Sequence, residues 1–553
     1  MKKLALSVVH RFTAPLSAAG LVVGALFWLA ALTPSMIPRE GLIQGAIAGL
    51  AFAVGYGLAA GLIMLWAWLG LPVARERLLR NGWWLSAALA AILVVAGAVL
   101  ARGWQNEVYR ALGLPDVESV RPFTLLAAGL GVALLLIVAG RFLGALKDIY
   151  DAPLRRVLPP RAALLAASLL AAWSFWAIGN GFLLDAILRG LDSAYRTVDS
   201  LIPPEEERPN NPLRTGSPAS LLDWENLGRE GRRHVLDAPA AADIEALIGR
   251  PAKEPLRVYV GANSAETVEE RAALALAEMQ RTGAFERSLL VIATPTGTGW
   301  VDPAGILPVE IMHGGDVASV SVQYSYLPSW LSLLVQPEYG EETADAVFRA
   351  VYGHWRQLPR DKRPRLFLFG LSLGSLNSDL ASDAYSVLGD PFEGAFWVGP
   401  PFASRTWTEV TATRNAGSPQ WLPEARAPGV FRFFTASDKG QLAAGGWGPV
   451  RVLYLQYSSD PIVFFETDMW LRKPDWMGPP RAGDVSPGLR WLPGISFIQV
   501  VFDMMTATTV PKGRGHVYAA SDYARGWQAL TSPTAIGEPE MKRIEAWLDA
   551  RGL

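Results

Sequence analysis

Long apolar stretches dominate the first third of the chain and restrict what it can fold into. About five of them are long enough to cross a bilayer as a helix, which takes about 20 residues. Their interiors consist of Ala, Leu, Gly and Val with almost no charge, so a soluble bundle of them would expose a large apolar surface to water. We therefore predict an α-helical transmembrane domain over residues 1–190. The stretches are residues 16–32, 42–69, 84–100, 124–140 and 162–184.

Basic residues in the connecting loops predict how this bundle is oriented. Cytoplasmic loops of membrane proteins carry an excess of Lys and Arg. Residues 2–11, 75–80 and 141–161 contain eleven of these residues, whereas the two alternate loops contain four, which are Arg39, Arg102, Arg110 and Arg121. The bias predicts a cytoplasmic N-terminus, and an odd number of spans then places the C-terminal domain on the extracytoplasmic side.

Charge and cysteine content exclude several classes of function. Charged residues make up 18% of the chain, and the deficit relative to the usual quarter falls before about residue 190. The net charge of −1 provides no basic field, so we expect no nucleic-acid partner. The chain has no cysteine, which excludes disulfides and cysteine nucleophiles. No Walker, H-E-x-x-H or dinucleotide motif is present, and we expect neither a metal nor a cofactor.

The rest of the chain divides at about residue 254. Residues 191–254 are charged and rich in proline, which predicts a juxtamembrane linker. Residues 255–553 alternate short β-branched or aromatic runs with segments of helical periodicity, of which 267–281 and 341–357 are the clearest helices. This alternation predicts an α/β domain with a mostly parallel, doubly covered sheet. The expected strands are residues 256–260, 288–293, 318–324, 365–369, 395–398, 430–434 and 451–457.

One of these strands runs directly into a G-x-S-x-G motif. The motif spans Gly370 to Gly374, with Ser372 at its centre, and a plausible helix follows. A serine on such a tight strand-to-helix turn projects its Oγ above the sheet, and the flanking glycines leave room for the backbone. We therefore predict that Ser372 is a nucleophile.

A nucleophilic serine needs a base and an acid, which follow it along the chain in this type of fold. Of the five histidines only His516 lies after Ser372, in a glycine-rich loop near the C-terminus. Asp460 follows the strand at 451–457 and is the preferred acid, because it is nearer the histidine loop. Asp438, after the strand at 430–434, is the alternative. Either aspartate could instead cap a helix.

Backbone N–H groups are the expected donors to a negatively charged reaction intermediate. The N–H of Leu373 lies at the start of the helix that follows the serine. A second donor should come from the glycine-containing loop after the strand at 288–293, where Thr296, Gly297 and Thr298 are the candidates.

Six segments together match a known family. They are residues 263–271, 293–303, 323–330, 372–375, 397–401 and 459–461. On these segments the chain resembles the bacterial membrane-anchored α/β-hydrolase family, which joins a multi-pass N-terminal region to an α/β-hydrolase domain. The resemblance implies a triad of Ser372, Asp460 and His516 in a protein of the bacterial inner (plasma) membrane. The chain departs from the family at Leu371, where a glutamate is expected, and around Arg514 and Val517.

The sequence thus predicts a membrane-bound serine esterase or lipase. It would cleave a carboxylic ester, or transfer its acyl group, through an acyl-enzyme on Ser372. Attachment to the lipid bilayer favours a lipid-like or envelope-derived small molecule as the substrate. The alternative is a non-catalytic membrane scaffold or ligand-binding protein with a hydrolase-like domain. The oligomeric state is left open.

Overall fold

A computed structural model describes residues 11–72, 76–178, 194–204, 206–329, 331–332, 337–382, 387, 389–443, 445–534 and 536–553. The chain forms two compact units. The helical unit takes in residues within 1–190, 466–477 and 483–506, and the sheet unit takes in residues within 191–465, 478–482 and 507–553. Two parts of the predicted C-terminal domain therefore belong to the helical unit.

The helices and strands are numbered here in chain order. The helices are α1 (Ala18–Ala31), α2 (Gly41–Trp68), α3 (Glu76–Ala111), α4 (Pro122–Leu154), α5 (Pro160–Trp176), α6 (Gly228–Leu236), α7 (Ala241–Ile248), α8 (Val268–Thr282), α9 (Pro303–Met312), α10 (Pro337–Trp355), α11 (Leu373–Ala381), α12 (Arg405–Ala412), α13 (Pro461–Phe464), α14 (Ile495–Met505), α15 (Ala520–Thr531) and α16 (Glu538–Ala550). The strands are β1 (Leu256–Val260), β2 (Leu289–Thr294), β3 (Val317–Val322), β4 (Arg365–Leu371), β5 (Gly394–Val398), β6 (Phe431–Phe434) and β7 (Arg451–Leu455).

Three of the described helices are long and apolar enough to cross a membrane. They are α2, residues Gly82–Ala111 of α3, and α4. The first predicted stretch forms the 14-residue α1, which ends shortly before Pro34, a residue that cannot continue a helix. The fifth forms the 17-residue α5, and residues 179–184 of that stretch lie outside the described residues. Three of the five predicted spans are therefore matched by described helices that are long and apolar enough to cross a membrane.

The short helix α14 packs inside the helical unit. Its first residue, Ile495, is buried in one cluster with Ala31, Ile47 and Ala51 of α1 and α2. At its other end Asp503 accepts a hydrogen bond from Arg39 Nε at 2.7 Å, and both side chains are fully buried. The segment that follows the last strand of the sheet therefore contributes to the core of the helical unit.

A parallel sheet of seven strands forms the sheet unit. The strand order is β1-β3-β2-β4-β5-β7-β6, and every neighbouring pair is parallel. Nearly every strand residue is buried, as expected for parallel strands covered on both faces. The mostly parallel sheet predicted from the sequence is confirmed, with strand ends within two residues of the prediction. The carboxyl ends of β2, β4, β5 and β7 lie along one edge, where sites of α/β folds are built.

Candidate active site

Ser372 lies at the sharp turn between β4 and α11. Its backbone has φ +55° and ψ −125°, a left-handed conformation that a serine adopts only at a cost of about 1–3 kcal/mol. The Ser372 N–H donates to the carbonyl of Val398 at the end of β5, at 2.9 Å, and the residue is 6% exposed. This strained turn directs the serine toward the carboxyl edge of the sheet.

The glycines around the serine are required by close backbone contacts. A Cβ on Gly374 would lie 2.2 Å from the carbonyl oxygen of Thr294, at the end of β2. A Cβ on Gly370 would lie 2.3 Å from the carbonyl carbon of Gly374. The G-x-S-x-G spacing therefore allows α11 to begin directly against two neighbouring strands.

His516 and Asp460 are in direct contact. The Nδ1 atom of His516 lies 2.6 Å from Oδ2 of Asp460, and both side chains are buried. Asp460 also caps α13, because its Oδ1 accepts from the N–H of Ile462 at 2.9 Å. The backbone N–H of His516 donates to Ala507 at 3.0 Å, which holds the loop of the histidine. The other ring nitrogen, Nε2, is buried and has no hydrogen-bond partner among the described residues.

Gly399 contacts the histidine and lies next to the backbone partner of the serine. It follows Val398, whose carbonyl accepts the Ser372 N–H, and it has φ +52°. A Cβ on Gly399 would lie 2.8 Å from Cε1 of His516, so the imidazole packs directly on this backbone. The structure thus brings Ser372, Asp460 and His516 to the same edge of the sheet, with Nε2 as the free nitrogen.

The alternative acid, Asp438, does not share these contacts. It is exposed, and its Oδ1 accepts from the N–H of Gly440 at 2.9 Å. Its carboxylate therefore closes a local turn after β6, whereas Asp460 is the aspartate that contacts the histidine.

The predicted oxyanion donors are not all available in this conformation. Leu373 is the first residue of α11, where the N–H has no partner within the helix. The N–H of Thr296, however, donates to the carbonyl of Trp300 at 2.9 Å, and that of Gly297 donates to Ser329 Oγ at 3.2 Å. These two N–H groups already donate to other groups, so Leu373 and Thr298 are the predicted oxyanion donors that remain.

Tyr518 is a member of the site that the sequence did not indicate. Its hydroxyl donates to Oδ2 of Asp460 at 2.7 Å, the same oxygen that contacts His516. The ring stacks on Tyr457 with 4.3 Å between centroids, and a Cβ on Gly399 would meet it at 2.9 Å. Burial and the charge of Asp460 raise the pKa of Tyr518 well above its usual range, which keeps the hydroxyl protonated as a donor.

A second buried carboxyl lies near the site. Asp302 caps α9 through the N–H of Ala304 at 2.9 Å, and its Oδ2 accepts from the hydroxyl of Tyr523 at 2.9 Å. Burial raises the pKa of Asp302 to about 6, although both hydrogen bonds and the charges of Lys512 and His516 oppose this. The sequence did not single out this residue, because Asp before Pro at a helix start is a common capping pattern.

Among the described residues, no group of three or more His, Asp or Glu side chains is arranged to hold a metal ion. The polar groups at the carboxyl edge of the sheet are instead those of a serine, an imidazole and a carboxylate.

Comparison with known families gave two matches. A model described as "Alpha/beta-hydrolase family" matches residues 256–544, more than half of the chain. A model described as "Alpha/beta-hydrolase family N-terminus" matches residues 32–239. No curated protein and no solved structure matched the chain.

Proposed function

The chain belongs to the alpha/beta-hydrolase family, and on this premise we propose that it is a membrane-bound serine hydrolase that cleaves carboxylic esters. Ser372 Oγ attacks the ester carbonyl carbon while Nε2 of His516 takes the hydroxyl proton. The tetrahedral intermediate collapses when His516 returns this proton to the departing alkoxide, which leaves as an alcohol. A water molecule then attacks the acyl-enzyme by the same route and releases the acid, and another hydroxyl compound in its place would give acyl transfer.

The hydrogen bonding of the His516 ring is the observation that supports this proposal most directly. One nitrogen contacts Asp460 at 2.6 Å, while Nε2 is buried without a partner among the described residues. An imidazole whose Nδ1 contacts a buried carboxylate, and whose Nε2 has no other partner among the described residues, is oriented as a general base requires. The packing of His516 on Gly399, beside the backbone partner of Ser372, supports the serine as the source of that proton.

The oxyanion of the intermediate needs donors, and Leu373 is the first. Its N–H lies at the N-terminus of α11, where the helix dipole favours negative charge. Thr298 is the second candidate, and each such donor contributes about 3–4 kcal/mol. Thr296 or Gly297 would serve only if the loop gave up its present hydrogen bonds.

The three long apolar helices suggest membrane association, and we extend this to a location and a substrate class. The excess of basic residues in one set of loops supports a bacterial inner membrane with the hydrolase domain outside. An enzyme fixed at a bilayer meets amphiphilic esters at high local concentration, which favours a lipid-like substrate.

Ester hydrolysis by the purified full-length protein tests the proposal. We expect p-nitrophenyl esters to be cleaved by wild type in detergent, with longer acyl chains preferred over acetate. Ser372→Ala and His516→Ala should each reduce kcat by several orders of magnitude with KM little changed, since each removes part of one chemical unit. Ser378→Ala, a serine on the same helix whose Oγ accepts from Trp397, is the matched control. Turnover that survives Ser372→Ala would contradict the proposal, as would inactivity of folded wild type toward every acyl length.

A further inference from the structure

The segment between Asp460 and His516 contains a turn with an unusual surface. Trp470 and Leu471 are 52% and 65% exposed, and Arg472 and Lys473 beside them are also exposed. Two large apolar side chains that are exposed to water are costly, because burying each of them would gain about 1.5–3 kcal/mol. The Arg472 side chain lies 3.8 Å from Asp468, but at 78% exposure this pair is weak.

The position of this turn is fixed by its contacts within the helical unit. The N–H of Gly494 donates to the carbonyl of Trp470 at 2.9 Å, and Trp491 Nε1 donates to the carbonyl of Met469 at 2.8 Å. Gly494 directly precedes α14, whose first residue packs against Ile47 and Ala51 of α2. The turn is therefore held at about the level of Ala51.

The far end of α2 lies almost one bilayer-core thickness from that level. The helix has 28 residues and is about 42 Å long, which exceeds the roughly 30 Å of a hydrocarbon core. Its first part is mostly buried in protein, although Leu42 and Val54 are exposed there, whereas every large apolar side chain from Leu58 onward is exposed. Trp66 and Trp68 are exposed near its other end, and Ala51 is about 26 Å from Trp68 along the helix. The level of the turn and the exposed tryptophans at the end of α2 are therefore separated by nearly the thickness of a bilayer core.

We propose that residues 470–473 form an interfacial anchor that contacts the lipid headgroup layer, with Trp470 and Leu471 toward the acyl chains. Tryptophan is enriched at this depth, where its ring is in an apolar setting and its N–H remains near water. Arg472 and Lys473 are placed to meet lipid phosphates, and each basic residue near an anionic surface adds about 1 kcal/mol to membrane binding. The partner is thus an anionic phospholipid leaflet. This inference does not depend on the hydrolase activity.

The cysteine-free chain allows a direct depth measurement. A single cysteine is introduced by Trp470→Cys, Leu471→Cys or Lys473→Cys in the full-length protein and labelled with a nitroxide. The protein is placed in nanodiscs of phosphatidylethanolamine and phosphatidylglycerol. Collision rates with oxygen, which concentrates in the bilayer, and with a water-soluble nickel chelate then report depth. Leu62→Cys on the exposed face of α2 and Glu118→Cys in the exposed loop before α4 calibrate the two extremes.

We expect the oxygen-to-nickel collision ratio at residues 470 and 471 to be several-fold above that at Glu118 and below that at Leu62. Residue 473 should be closer to the Glu118 value, because the proposal places its side chain among the headgroups. Ratios at 470 and 471 equal to that at Glu118 would place the turn in water and overturn the proposal. Low collision rates with both reagents would mean that protein covers the turn, which also overturns it. Three independent positions protect the test against one variant that fails to fold.

Discussion

Removal of the Tyr518 hydroxyl should weaken the proposed triad through its acid. Among the described residues, Oδ2 of Asp460 accepts from Tyr518 and His516, and Oδ1 accepts from the N–H of Ile462. Tyr518→Phe therefore removes one of these three donors to a fully buried carboxylate and leaves the aromatic ring in place.

The size of the effect follows from the charge of the acceptor. A hydrogen bond to a charged group is worth about 1.5–3 kcal/mol, more than a neutral one. We expect kcat/KM for ester hydrolysis to fall about tenfold, which corresponds to about 1.4 kcal/mol and lies near the low end of that range.

The assay is kcat/KM for ester hydrolysis by wild type, Tyr518→Phe and a matched control. The control is Tyr523→Phe, which also removes a buried tyrosine-to-aspartate hydrogen bond, from Asp302 at 2.9 Å. Both variants should lose similar thermal stability, but only Tyr518→Phe should lose about tenfold in kcat/KM. An unchanged kcat/KM in Tyr518→Phe, or an equal loss in Tyr523→Phe, would refute the reasoning.

Three further predictions concern other parts of the chain. Gly399→Ala should lower kcat/KM about a hundredfold, because the added Cβ would lie only 2.8 Å from Cε1 of His516 and would displace the ring. Ester hydrolysis by the folded variant checks this. Asp503→Ala leaves Arg39 buried without its charge partner and should cost about 3–5 kcal/mol, seen as a lower Tm in detergent; a Tm equal to wild type would contradict it. The pKa of Asp302 is about 6 in the folded protein, against an ordinary value of 3.8. Its carboxyl therefore contributes stability, on the order of 3 kcal/mol, that is present below pH 4 and is lost as the pH rises through 6. Asp302→Asn should flatten the dependence of Tm on pH across that window.

Local sequence signals were sufficient for the sheet and for the position of the serine. A strand, a strained turn and a helix start are all encoded within residues 365–381, so Ser372 could be singled out without tertiary information. His516 followed from chain order because it is the only histidine after that serine. Two aspartates remained as candidates for the acid, and their spacing along the chain gave only a preference for Asp460. The hydrogen bond from Gly440 to Asp438 and the contact of Asp460 with His516 separate them in the structure.

Long-range contacts account for what the sequence did not reveal. The helix α14 is short and apolar, and this composition by itself does not indicate which unit it packs in. The partner of Asp503 is Arg39, 464 residues earlier, and such a pair leaves no local trace. Tyr518 is similar, since its contact with Asp460 depends on how two distant loops meet at the sheet edge. The commitment of the Thr296 and Gly297 N–H groups depends on Trp300 and Ser329 in the same way.

The central claim is that Ser372 is an activated nucleophile, and covalent labelling tests it most directly. Full-length protein in detergent is treated with a fluorophosphonate, and the adduct is located by mass spectrometry. We predict a single adduct on Ser372 that is retained in Ser378→Ala and lost in Ser372→Ala, with much slower labelling in His516→Ala. Folded wild type that stays unlabelled, or a label that persists in Ser372→Ala, would contradict the account and favour a hydrolase-like domain that binds a ligand without reacting.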